Sequence, residues 1–173
     1  IKHLPPLDLR YGWYTGRRDD QFLILDALLF VGVSCLFASP NCAPWGNNSH
    51  AWSADYRNVQ RNNEKAALLF LAVCAFIQVL LNRSYLIETS KASAIHSAVE
   101  SPLSLLRLLP HCVAQLDQCA VGGSQEGKPI LKSSLFQAPH PIQHLQITCP
   151  GGHQHQQLTS GNDRASAAAR YTD

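Results

Sequence analysis

Apolar positions along the chain gather in two runs, residues 22–38 and 66–81, with polar sequence between and after them. At 17 and 16 residues they lie at the lower edge of the roughly 17–25 residues that carry a helix across a bilayer. Aromatic placement favours a membrane. Tyr11, Trp13 and Tyr14 precede the first run, Trp45, Trp52 and Tyr56 lie between the runs, and Tyr85 follows the second. Five of the six Phe lie inside the runs. Trp and Tyr at the rims with Phe and Leu within is the belt pattern of membrane helices. The pattern predicts an all-α membrane protein whose centre is a two-helix transmembrane hairpin over residues 21–85, with a polar loop at 39–65.

The flanks divide further. Residues 1–20, with Pro5, Pro6, Gly12 and Gly16, read as an extended interfacial arm. In residues 86–120, Ser101 is a candidate N-cap and Pro102 fits the first helical position. Leu103, Leu106, Leu109, Val113 and Leu116 then form a stripe near helical spacing, interrupted by Pro110. This region predicts a third, amphipathic helix on a membrane surface or a partner. Residues 121–173 form a polar His- and Gln-rich tail without periodicity.

Charge adds an orientation. Only 15% of residues are charged and the net charge is +2, too little to draw a nucleic-acid partner. Lys2, Arg10, Arg17, Arg18, Arg83 and Lys91 flank the runs on the terminal side, against Arg57, Arg61 and Lys65 in the loop. That excess places the termini on the stromal or matrix side. The chain starts at Ile1 and has no Met, which fits a processed organelle protein. The expected setting is a thylakoid or mitochondrial inner membrane.

Candidate chemistry is sparse. Asp26 inside the first run must be paired, protonated or turned toward protein, and at matching depth on the second run stands Gln78. A carboxyl–carboxamide pair between them would fix the hairpin's register. A small transporter or channel component using Asp26 as an ion site is the alternative. Neither run contains His for haem. Gln78, Asn41, His50 and Asn82 are candidate oxygen or nitrogen ligands for peripheral chlorophyll, with carotenoid or lipid alongside, although no cofactor of the chain's own is required.

In the tail, His140, His144, Cys149, His153 and His155 carry zinc-ligand chemistry at a spacing that matches no standard finger. A solvated tail is the expectation there, and a soluble helical protein with a zinc-binding tail the alternative. Of the six Cys, Cys35 and Cys74 read as core residues, and a Cys112–Cys119 disulfide is the minor alternative to free thiols. No phosphate loop, nucleophile elbow or HExxH occurs, so no enzyme is expected. The functional expectation is an accessory, non-catalytic subunit of a photosystem or respiratory complex, packed on larger membrane subunits.

Overall fold

Gly32 cuts the first apolar run in two. In the computed structural model, which describes residues 14–125 and 127–156, helix α1 spans Arg18–Asp26 and unwinds through a π-helical turn at Ala27–Val31. Gly32 then takes the left-handed conformation at φ 79°, which a residue without Cβ enters at no steric cost. The chain leaves as strand β1, Cys35–Ala38. One hydrophobic run thus becomes a short helix and a short strand, and neither crosses a bilayer. The expected arm at 1–13 and the end of the tail at 157–173 lie outside the described residues.

The second run does form a helix. Helix α2 spans Ala54–Leu80, and the Ser53 hydroxyl caps it by accepting from the Tyr56 amide at 3.2 Å. Asn82, at φ 58°, turns the chain out of the helix into strand β2, Ser84–Ser90. β1 and β2 pair in parallel, from Cys35 opposite Ser84 to Ala38 opposite Ile87, so β1–α2–β2 is a β-α-β crossover unit. Strand β3, Cys112–Asp117, and a small hairpin of β4, Ser124–Gln125, and β5, Lys128–Pro129, follow. Strand β6, Ser133–Ala138, completes the sheet. Its order is β1-β2-β6-β3, with β6 antiparallel to both neighbours.

The all-helical, two-span architecture is therefore corrected to a mixed α/β fold on a four-stranded sheet. Alternation along the strands explains it. Tyr85 and Ile87 of β2 are fully buried, in one cluster with Leu68, Ala72 and Ala75 of α2. The opposite face packs Leu86, Ala114, Phe136 and Ala138 with Ile142 and Leu145.

Among the described residues α2 alone is long and apolar enough to cross a membrane, a test the core helix of a soluble domain also passes. Trp45 and Tyr85, read as belt residues, are instead core: Trp45 is 2% exposed, with the Arg61 guanidinium 4.8 Å above its ring centroid.

The predicted third helix is replaced as well. Residues Pro102–Leu108 form a 3-10 segment that buries Leu103 and Leu106. Val113 and Leu116 belong to β3. Pro110 blocks helical continuation and leaves the chain extended. Cys74 is core as expected, its thiol pushed up to about 12 by burial, while Cys35 is exposed.

Candidate metal centre

One edge of the sheet is β3, and the chain returns to it after β6. The Ile147 amide donates to the Gln115 carbonyl at 2.9 Å, and the Asp117 amide donates to the Ile147 carbonyl at 2.8 Å. This short parallel bridge satisfies edge groups that would otherwise face water. Further along, the Gln156 amide donates to the Pro129 carbonyl at 2.8 Å. The segment between these two tethers carries Cys149, His153 and His155. It lies over the 3-10 turn Gln118–Val121, which follows β3 and presents Cys119.

The four side chains converge. Cys119 Sγ, Cys149 Sγ and one nitrogen from each of His153 and His155 all lie within 4.8 Å of one another. Cys149 Sγ is 3.6 Å from His153 Nε2 and 3.4 Å from His155 Nε2, and the two Nε2 atoms are 2.9 Å apart. A tetrahedral zinc with Zn–S near 2.3 Å and Zn–N near 2.0–2.1 Å implies S···N edges of about 3.6 Å and N···N edges of about 3.4 Å. The two S···N distances lie near those edges, and the imidazole nitrogens, 2.9 Å apart, stand closer than a shared ion requires.

Neighbouring groups hold the ligands in place. The Cys149 amide donates to Asp117 Oδ2 at 2.7 Å, while Asp117 Oδ1 accepts from Ser133 and from Gln115 Nε2. Burial opposes ionisation of Asp117, but these donors and the nearby Lys91 outweigh it and hold the carboxyl below the usual range. The Gly151 amide points at Cys149 Sγ over 3.4 Å, an orientation that stabilises a thiolate. Gly151 adopts φ 77° to make that turn. Burial, then the hydrogen bond and charge of Cys149, then Asp117, push the Cys119 thiol up. Cys119 and Cys149 would hold a divalent cation between their sulfurs as thiolates, its charge offsetting that repulsion.

Three of the five tail residues singled out from sequence thus meet, and Cys119 is a fourth member of the group that spacing did not reveal. Both cysteines precede a Gly-Gly pair, Gly122–Gly123 and Gly151–Gly152, the one local signal the two halves share. His140 and His144 are exposed and stand outside the group. All six cysteines are free, so Cys112 and Cys119 form no disulfide.

The remaining candidates separate. Asp26 is exposed, whereas Gln78 is fully buried and donates to the Val33 carbonyl at 3.1 Å. The predicted intramembrane pair is absent because Asp26, the last residue of α1, faces solvent, while Gln78 meets the backbone beyond Gly32 instead. Asn41 is engaged by Glu64 at 2.8 Å, and His50 and Asn82 are exposed.

Fold and donor set together define a small mixed α/β domain with a Cys2His2 cluster. Among known proteins, no family model, no curated protein and no solved structure matches this chain.

Proposed function

We propose that the chain is a zinc-binding domain in which Cys119, Cys149, His153 and His155 hold one structural ion. The observation that carries this is the convergence of four ligand atoms of the right chemistry within 4.8 Å. Four protein ligands close a tetrahedral shell and leave no position for a reacting water, which is the pattern of structural sites. The ion clasps the segment from Cys149 to His155 against the end of β3, and its binding energy becomes folding energy. The expectation of an accessory membrane subunit rested on two spans, and only α2 retains the length and apolarity for one. Elemental analysis of the purified chain tests the proposal: one equivalent of zinc is expected, falling to near none in C119S and C149S. Wild-type protein without metal after purification in zinc-supplemented medium contradicts it.

A second reading attaches to the carboxyl ends of the parallel strands β1 and β2, where open α/β sheets place their ligands. Glu88, 4% exposed, accepts hydrogen bonds from the Ser39 hydroxyl at 2.6 Å and from the Ser134 hydroxyl. Cys42 follows β1 and shares this neighbourhood. Burial foremost, and the Glu88 carboxylate in addition, push its thiol up against contacts from Ser90 and Ser93. The Cys42 thiol donates to the Pro40 carbonyl at 3.3 Å; on this reading it is a nucleophile, with the neighbouring Glu88 carboxylate as its base. Site-resolved alkylation with iodoacetamide decides it: E88Q slows reaction at Cys42 if Glu88 is the base. Faster reaction means Glu88 only repels the thiolate, and the reading fails.

A further inference from the structure

We propose that the cleft between the 3-10 segment Pro102–Leu108 and the sheet binds a small organic carboxylate. The cleft encloses about 200 Å³ and is lined by His96, Leu103, Arg107, His111, Val113, Leu135 and Gln137. Its composition is two-sided. Leu103, Val113 and Leu135 give an apolar wall, while Arg107, His96 and Gln137 bring hydrogen-bond donors; the His111 Nδ1–H is taken by the Leu109 carbonyl at 3.0 Å. No Asp or Glu is among the lining residues. Val113 and Gln137 are direct partners in the β3–β6 ladder, so the floor is rigid sheet rather than loop.

His96 makes the case specific. Both of its ring nitrogens are buried without a hydrogen-bond partner among the described residues. Buried polar atoms of this kind are rare and call for an occupant, either a ligand or an ordered water. Arg107 also lines the cleft, is solvent-exposed, and has the planar fork that grips a carboxylate through two parallel hydrogen bonds. A volume below the roughly 300–1,000 Å³ of pockets for drug-sized ligands sets the size class. The apolar wall selects a body that phosphate lacks.

Proton linkage follows from the same geometry. The charged or titratable groups facing His96 are Arg107 and His111, both of which disfavour its protonation, beyond the effect of burial. A bound carboxylate supplies the missing negative charge, so binding takes up a proton and tightens as pH falls from 7 toward 5.

The test is a titration of the isotope-labelled full-length chain with benzoate, read by NMR at the His96 ring and the methyls of Leu103, Val113 and Leu135. Saturable shifts at all four are expected, tighter at pH 5.5 than at pH 7. R107Q, at an exposed position that spares the core, weakens binding about tenfold through loss of a charge-assisted pair. Inorganic phosphate and benzyl alcohol serve as comparators. Equal binding of the alcohol, tighter binding of phosphate, an unaffected R107Q, or no saturable shift with benzoate each overturns the proposal, the last leaving ordered water as the partner of His96.

Discussion

The amide of Cys149 donates to the carboxylate of Asp117 over 2.7 Å, and this bond joins the returning C-terminal segment to the last residue of β3. Asp117 also takes the Ser133 hydroxyl and the Gln115 amide. One buried carboxylate therefore sets the position of Cys149, a proposed metal ligand, through its backbone. Asp117→Ala should lower zinc affinity by about 10–100-fold, the usual cost of losing an outer-shell partner. Competition with a chromophoric chelator measures it, and a shift of less than twofold would remove Asp117 from the account.

Chelation should act locally before it acts globally. The segment between Ile147 and Gln156 is held by two backbone bridges and the ligand cluster. On the zinc proposal, stripping the ion removes the restraint that the ligand cluster supplies. Amide exchange at Ile147 and Gln156 should accelerate, whereas exchange at Tyr85 and Ile87 in the core should change little. Uniform acceleration throughout would mean that the ion supports the whole domain rather than its edge.

Glu88 links the ends of three elements. Its carboxyl takes hydroxyl donors from Ser39, just beyond β1, and from Ser134 in β6. Ser134→Ala leaves a buried acceptor with one donor fewer and should cost about 1–3 kcal/mol. Urea unfolding reads this as a lower midpoint at unchanged slope.

The pH dependence of stability carries the signature of His96. Burial, then Arg107 and His111, lower its folded-state value to about 4, against an unfolded value near 6.5. Between these values the unfolded chain binds the extra proton, so stability falls as pH drops from about 6.5 to about 4 and is unaffected by this group above that window. His96→Gln should flatten the profile within it. An unchanged slope in thermal melts across the window would show that His96 is not shielded.

Legibility in the sequence followed physical range. The run at 66–81 reads as helix because it is long, apolar and free of Gly and Pro, a local property that α2 keeps. The run at 22–38 does not, because a single Gly at 32 converts helix into strand and composition averages over it. Trp45 and Tyr85 sit at the ends of apolar runs whether those runs face lipid or a sheet, so the belt pattern could not distinguish the two. Cys149, His153 and His155 are readable as candidate ligands within seven residues of chain. Cys119 is brought to them only by the β3 edge and the return of Ile147, a pairing that no short-range pattern encodes. Asp26 and Gln78 failed as a pair for the same reason: their proximity depended on a topology that Gly32 breaks.

Cobalt substitution tests the metal centre most directly. The metal-free chain is titrated with cobalt(II) and its visible absorption compared with that of C119S. One equivalent should produce the intense bands of a tetrahedral ion with sulfur-to-metal charge transfer, displaced by zinc and weakened in C119S through loss of one thiolate. Weak octahedral bands, or a spectrum unchanged by C119S, would contradict a site built by Cys119, Cys149, His153 and His155.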